Sequence, residues 1–165
     1  MILGLSTHAF TVVHVIISLI GIASGLIVVF GMLGSRRLGN WTALFLLTTI
    51  LTSVTGFFFP IHGVTPALTV GVISLVILAV ALLARYVKHL VGAWRWIWVV
   101  TAVAALWFNT FVLVVQSFLK LPALHALAPN GNEPPFLIAQ AAVLIVLVVL
   151  GVIAVLKFRP APAAH

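Results

Sequence analysis

The sequence predicts an all-α integral membrane protein with five transmembrane helices in a single bundle. Of its 165 residues, 64% are hydrophobic and only 5% are charged, and the mean hydropathy is +1.38. A soluble domain of this size must cover its surface with more polar side chains than this chain contains. Lipid is therefore the expected solvent for most of the chain, and the lipid bilayer is its first expected partner.

Five segments are each long enough to cross the hydrocarbon core, which takes about 20 apolar residues. Polar or proline-containing stretches separate them, such as GSRRLGN after the first segment and PIHGVTP after the second. We therefore expect one transmembrane domain over residues 1–159 and a disordered tail over 160–165. A four-span alternative, with the first or second segment re-entrant, breaks the charge pattern of the loops. The predicted spans are residues 9–33, 41–59, 66–86, 96–119 and 136–158.

The basic residues predict the orientation of the five spans. Seven of the eight Lys and Arg residues fall on one side of the arrangement, and Lys120 alone falls on the other. Because basic residues concentrate on the cytoplasmic side, we expect the N-terminus outside and the C-terminus in the cytoplasm. No basic residue precedes the first apolar run, so a cleaved signal peptide is not expected. The seven residues are Arg36, Arg37, Arg85, Lys88, Arg95, Lys157 and Arg159.

The composition excludes several functional classes. The net charge is +7, but the basic residues are distributed between apolar segments, which argues against a nucleic-acid partner. The chain has no Cys, which excludes disulfides, thiolate metal sites and c-type haem attachment. Glu133 is the only acidic residue, so paired-carboxylate catalysis is excluded. Nucleotide-binding, zinc-peptidase and serine-hydrolase motifs are missing, which leaves open whether the chain is an enzyme.

The first predicted span contains two histidines, in the stretch STHAFTVVHVIISLIGIASG. At 100° per residue His14 shares a stripe with Gly21 and Gly25, whereas His8 lies off that stripe. The two glycines form a GxxxG pattern that lets helices approach closely in lipid, either within one chain or between copies or subunits. An ionisable side chain at membrane depth also indicates a functional site. His14 is thus predicted either to hydrogen-bond a neighbouring helix or to face a ligand.

Carboxamides in the later spans extend this pattern. Asn109 and Gln116 are seven residues apart and share one helix face, where they either join helices or line a polar cavity. Gln140 lies at a depth similar to Gln116 in the last span. Together with the histidines of the outer half, these residues form the predicted cofactor-binding set, which is His14, His62, His125, Asn109, Gln116 and Gln140.

This set favours a redox-linked role in electron transfer, with haem b or a quinone held in the outer half of the bundle. Haem b takes one or two neutral imidazoles in an apolar pocket, which His14 could supply together with His62 or His125. A quinone needs groups that bond its two carbonyl oxygens, and a histidine with a carboxamide fits that need. His14 and His62 are the preferred ligands, with His125 as the alternate.

Two other roles stay open. The histidines His8, His14, His62 and His125 could bind copper or zinc at the outer face, since imidazole suits both metals, although their spacing matches no metal motif. Alternatively, the chain is a non-catalytic accessory subunit that packs against another membrane protein.

Three segments carry a resemblance to known proteins. LTSVTGFFFPIHG, FVLVVQSFLKLPALHALAP and EPPFLIAQ resemble those of a widespread group of small bacterial multi-pass inner-membrane proteins of unassigned function. The similarity covers most of the chain. It implies a location in the bacterial plasma (inner) membrane, and it transfers neither an activity nor any site residue.

Overall fold

The computed structural model describes residues 2–60 and 66–161 of the chain, and every named element within them is a helix. The predicted all-α class is confirmed. A π-helical turn, Leu83–Val87, continues the third helix. In chain order the helices are α1 (Thr7–Leu33), α2 (Gly39–Gly56), α3 (Pro66–Leu82), α4 (Trp94–Lys120), α5 (Pro122–His125) and α6 (Pro134–Lys157).

Within the described residues, four helices are long and apolar enough to cross a membrane, and the chain is therefore a candidate membrane protein. They are α1, α3 with its π-helical turn, α4 and α6. The second predicted span corresponds to α2, which has 18 residues and lies outside this group. Its lower hydrophobicity comes from Asn40, Ser53 and five threonines, at positions 42, 48, 49, 52 and 55.

Helix α4 occupies the centre of the bundle. It packs against α1, α2, α3, α5 and α6, whereas α1 packs mainly along α2 and α3 packs on α2 and α4. The side chains of Trp98, Ala102, Ala105 and Leu106 on α4 are completely buried. The core therefore runs along α4, while much of α6 is exposed to the surroundings of the bundle.

The loops bring most of the basic residues to one end of the bundle. Arg85 Nη2 donates to the carbonyl oxygen of Arg37 at 2.8 Å, and Arg95 Nη1 donates to that of Val155 at 3.0 Å. The amide of Arg159 donates to Ser35 Oγ at 2.6 Å. These bonds hold together residues 34–38, 85–95 and 155–161, which we call the basic end. The opposite end, where α1 begins and α4 finishes, is called the Lys120 end.

Side-chain chemistry explains where the helices begin. The Ser6 hydroxyl accepts a hydrogen bond from the amide of Ala9 at 3.1 Å, which caps α1. Helix α6 begins with Pro134 and Pro135, at positions where the missing N–H has no helical partner to lose. Of the predicted tail, residues 162–165 lie outside the described residues, whereas the carbonyl oxygen of Ala161 accepts a bond of 3.2 Å from Arg37 Nε.

The GxxxG face of α1 packs inside the chain. A Cβ atom on Gly25 would lie 2.8 Å from the Phe45 ring of α2 and 2.9 Å from Leu106 Cδ1 of α4. A Cβ atom on Gly21 would lie 3.1 Å from Asn109 Nδ2. A side chain at position 25 would displace Phe45 and Leu106, and one at position 21 would shift Asn109 by a few tenths of an ångström. Of the two uses that the sequence left open, packing within the chain is the one that the structure displays.

Candidate functional site

A cavity of about 280 Å³ lies between α1, α2, α3 and α4, on the side of the bundle toward the Lys120 end. Phe57, Phe59 and Phe108 form part of its apolar wall. The remaining wall includes polar side chains from all four helices. Those used below are His14, Ser18, Thr49, Asn109, Gln116 and Lys120.

The hydrogen bond of His14 fixes its protonation pattern. His14 Nδ1 lies 2.8 Å from Thr55 Oγ1, and Thr55 Oγ1 lies 2.6 Å from the carbonyl oxygen of Leu51. Because a carbonyl oxygen only accepts, the single hydroxyl proton of Thr55 is given to Leu51. Thr55 must then accept from His14, so Nδ1 carries the proton. The other ring nitrogen, Nε2, carries a lone pair in the neutral imidazole.

Aromatic rings hold the imidazole in place. The Phe59 ring meets His14 edge-on, with ring centroids 5.2 Å apart and an interplanar angle of 85°. Phe10 packs on the same phenylalanine at 5.1 Å. These contacts and the bond to Thr55 restrain the ring from two sides, so His14 is a fixed part of the cavity wall.

Asn109 both joins two helices and lines the cavity. The hydroxyl of Ser18 donates to Asn109 Oδ1 at 2.7 Å, and Asn109 Nδ2 donates to the carbonyl oxygen of Ser18 at 3.4 Å. This pair of bonds sets the orientation of the carboxamide, since exchange of its oxygen and nitrogen would place two acceptors together. Asn109 is buried, with 7% of its surface exposed. Both roles that the sequence indicated for this residue are therefore present.

Gln116 and Lys120 lie on α4 between Asn109 and the Lys120 end, and both line the cavity. Gln116 is two helical turns from Asn109, or about 10 Å along the axis. Polar side chains are thus spaced along the length of the cavity rather than gathered at one point.

Several predicted site residues lie elsewhere. Gln140 Nε2 donates to the carbonyl oxygen of Phe111 at 3.2 Å, on the side of α4 that faces α6. His8 and His125 are exposed, and neither belongs to the described cavity wall. His62 lies outside the described residues. Of the predicted set, the structure therefore brings together His14, Asn109 and Gln116.

The cavity wall also includes hydroxyl groups that the sequence did not indicate. Ser53 of α2 and Ser74 of α3 both line it. Ser53 follows Thr49 by four residues, which places the two on one helix face. That spacing was the available signal for Ser53. The sequence of α3 offered no such signal for Ser74, because no polar residue lies three or four positions from it.

The predicted copper or zinc site receives no support from the residues that the structure describes. Within them, no three His, Asp or Glu side chains come together in a group that could hold a metal ion. His8 and His125 are exposed at the surface, whereas His14 is held in the cavity wall by Thr55.

The chain matches no protein-family model, no curated protein and no solved structure. The chemistry of the cavity is therefore the basis for assigning a role.

Proposed function

We propose that the protein binds a quinone or quinol head group in the cavity between α1, α2, α3 and α4, as a redox-linked protein of the bacterial inner membrane. The observation that carries this proposal is the fixed imidazole of His14. Its Nδ1–H is engaged by Thr55, which leaves Nε2 as an acceptor in a cavity wall that also holds amide and ammonium donors.

The side chains in the wall suit both redox states of such a ligand. A quinone carbonyl oxygen accepts hydrogen bonds, which Gln116 Nε2 and Lys120 Nζ can donate. A quinol hydroxyl donates, and His14 Nε2 can accept from it. Donors and an acceptor on the same cavity wall support a ligand that changes between carbonyl and hydroxyl forms.

The size and lining of the cavity favour a small aromatic head group. Ligand sites are mainly apolar with a few placed polar groups, and their volumes are about 300–1,000 Å³. At about 280 Å³, this cavity lies at the lower limit, which suits a head group of one or two rings better than a tetrapyrrole macrocycle. The phenylalanines Phe57, Phe59 and Phe108 supply apolar surface for the ring.

Haem b is the second candidate ligand, because the same tautomer of His14 suits metal binding. A histidine that donates through one nitrogen to an oxygen acceptor presents its other nitrogen to a metal, and His14 has this arrangement with Thr55. The described wall of the cavity contains a single imidazole. Haem would therefore bind through one histidine of that wall, and the iron would supply one-electron chemistry.

We also infer that α2 is a fifth span, with the basic end in the cytoplasm. The hydroxyl of Thr42, near the start of α2, donates to the carbonyl oxygen of Arg37 at the basic end. Thr55, near its last residue, meets His14. The 18 residues of α2 rise about 27 Å, close to the thickness of the hydrocarbon core. Thr42, Thr48 and Thr49, which contribute to its lower hydrophobicity, are buried, so their side chains face protein rather than lipid.

Ligand-induced thermal stabilisation of the purified protein in detergent tests the proposed function. A short-chain benzoquinone and its quinol should raise Tm with concentration, because a ligand that binds the folded state stabilises it by RT ln(1 + [L]/Kd). His14→Leu and Gln116→Leu should each weaken the affinity about tenfold, as expected for the loss of one hydrogen bond of about 1.4 kcal/mol. His8→Leu is the matched control, since His8 is an exposed histidine of the same helix.

Two results would overturn the quinone proposal. One is the absence of any Tm shift with quinone or quinol up to the solubility limit, and the other is an equal shift in the wild type and in His14→Leu. Hemin added to the same preparations tests the second candidate ligand, haem b. A Soret band that forms in the wild type and is lost in His14→Leu would favour haem over quinone.

A further inference from the structure

The basic end of the bundle carries seven cationic side chains and no acidic one. The only acidic side chain of the sequence, Glu133, lies before α6 at the other end, where it accepts from the Asn130 amide. Three of the guanidinium groups, those of Arg37, Arg85 and Arg95, donate instead to backbone carbonyl oxygens. Arg95 Nη1 donates to Phe158 at 2.6 Å, in addition to its bond to Val155. Neutral carbonyl groups satisfy only part of the hydrogen-bond donors of these three arginines and leave their positive charge uncompensated.

Arg85 is the most deeply placed of these cations. Its exposed fraction is 8%, and its Nη2 donates to the carbonyl oxygen of Arg37 at 2.8 Å. Its Cζ lies 5.4 Å from the centroid of the Trp98 ring, a distance at which a guanidinium is attracted to an indole face. Its Nη1 is buried and has no hydrogen-bond partner among the described residues. A buried charge with one free donor is costly unless an anion lies nearby.

Helix ends of both signs lie at the basic end. Helices α2 and α4 both begin at the basic end, and neither has an acidic residue in its first turn or a side-chain cap. The N-terminus of a helix carries a partial positive charge and the C-terminus a partial negative one, so these two ends are offset by the C-termini of α1, α3 and α6 at the same level. The positive potential of the basic end therefore comes from its seven cationic side chains. The field favours an anion placed between the loops.

We propose that the basic end binds the phosphate of an anionic phospholipid, with Arg37 as the principal contact and Arg85 as the residue that positions it. Arg37 Nε is held by the carbonyl oxygen of Ala161, and its backbone carbonyl is held by Arg85. Its terminal nitrogens have no hydrogen bond to another residue in the described ranges, so they remain able to bind two phosphate oxygens.

The surroundings of the site identify the anion as part of a lipid. The candidate spans α1, α3, α4 and α6 all end or begin at this level, which places it at the depth of lipid head groups. Apolar side chains of the 85–95 segment are exposed, such as Val87 at 63% and Val91 at 71%. An anion with acyl chains covers this apolar surface as well as the charge, whereas free phosphate covers the charge alone.

Native mass spectrometry of the detergent-purified protein with added lipid tests the proposal. The wild type should retain phosphatidylglycerol more than phosphatidylcholine. Arg37→Gln should lower phosphatidylglycerol retention about fivefold, which corresponds to the loss of one basic contact. The exposed neighbour Arg36 gives the matched control, and Arg36→Gln should stay within about twofold of the wild type because solvent and salt screen an exposed charge that no other residue positions. Arg37→Lys, which keeps the charge, should recover part of the binding.

Three outcomes would overturn the proposal. They are equal retention of the two lipids by the wild type, unchanged retention in Arg37→Gln, and an equal loss in Arg36→Gln. Competition with inorganic phosphate distinguishes a lipid phosphate from a free phosphate as the bound anion. Displacement of phosphatidylglycerol by millimolar phosphate would assign the site to a free anion rather than to a lipid. If Arg37→Gln does not fold, the comparison of Arg37→Lys with Arg36→Lys supplies the test.

Discussion

His14 on α1 and Thr55 on α2 are joined by a hydrogen bond of 2.8 Å between the imidazole Nδ1 and the hydroxyl oxygen. The Thr55 hydroxyl donates its proton to the carbonyl oxygen of Leu51 at 2.6 Å. The direction of the His14–Thr55 bond is therefore set by α2 itself. One turn of a threonine-containing helix thereby selects the tautomer of a histidine on its neighbour. The proposed ligand site depends on this relationship because it leaves Nε2 as the acceptor.

Thr55→Val should remove the hydroxyl that selects the His14 tautomer, with little change in the shape of the side chain at position 55. The Nδ1–H of this part-buried hydrogen bond then loses its acceptor, which lowers the free energy of unfolding by about 0.5–1.5 kcal/mol. Quinone affinity should fall as well, because the imidazole is no longer held in one orientation. Thr110→Val is the control, since the Thr110 hydroxyl bonds to the Leu106 carbonyl of its own helix. Unfolding in detergent and quinone titration give the readouts, and wild-type values for Thr55→Val in both would contradict the prediction.

Ser18 and Asn109 should be energetically coupled. Their side chains join α1 to α4 at 2.7 Å, and interhelical hydrogen bonds in membrane proteins contribute about 0.6 kcal/mol on average and up to about 1.7. A double-mutant cycle with Ser18→Ala and Asn109→Ala should give a coupling energy in that range. The measurement is unfolding in mixed micelles. Strict additivity of the two substitutions would show that the bond does not hold the helices together.

The sequence predicted the depth of the site better than the direction in which its side chains face. Helical period and loop charge were enough to place His14, Asn109 and Gln116 at neighbouring levels, and all three line one cavity. Gln140 has a similar depth but lies on the other side of α4, against Phe111. Apart from Gln140 and the terminal Lys157, helix α6 is apolar on all sides, so its sequence contains little signal for its rotation about its own axis.

Two further features depended on packing that the sequence does not encode locally. Trp98 lies near the start of a candidate span, where tryptophans commonly meet the membrane surface, yet its side chain is completely buried with the guanidinium of Arg85 over its ring. The GxxxG pattern of α1 predicted a close helix contact, and Gly25 does meet Phe45 and Leu106. Whether that contact lay within the chain or between chains was decided by α2 and α4, which cover the face.

Arg95 should stabilise the last turn of α6. Its Nη1 bonds to the carbonyl oxygens of Val155 and Phe158, at 3.0 and 2.6 Å, where a helix C-terminus also favours a cation. Arg95→Met should lower the free energy of unfolding by about 1.5–3 kcal/mol, as for hydrogen bonds to a charged group. Lys157→Met, which removes an exposed cation from the same turn, should have little effect. Equal losses in the two variants would point to net charge rather than to these bonds.

Glu133 should give the turn before α6 a dependence on acidic pH. Its carboxylate accepts from Asn130 N, Asn130 Nδ2 and Asn132 N at 3.0, 2.8 and 3.1 Å. Against a desolvation effect that raises it, these bonds lower the pKa of Glu133 below its ordinary value of 4.5. A carboxylate with a lowered pKa stabilises the folded turn above pH 4.5, and this contribution is lost as the pH falls through the folded pKa.

Amide NMR resonances of Asn130 and Asn132 measure this effect. They should shift in one step at a pH below 4.5, and Glu133→Gln should remove the step. Amides at the basic end, where the chain has no acidic side chain, are the internal control. A step above pH 4.5 would show that the hydrogen bonds do not favour the carboxylate form.

The five-span arrangement predicts opposite exposure for the two ends of α2. The chain has no Cys, so single cysteines can be labelled on intact cells with a membrane-impermeant maleimide. Gly39→Cys places a thiol at the first residue of α2, where an added Cβ atom has no other atom within 4 Å. Phe58→Cys places one just after the last turn of α2, at a side chain that is 47% exposed. With α2 as a span and the basic end in the cytoplasm, Phe58→Cys and Asn130→Cys label at once, whereas Gly39→Cys labels only after permeabilisation. A re-entrant α2 would instead give Gly39→Cys and Phe58→Cys the same exposure, because both ends of α2 would then lie on one side.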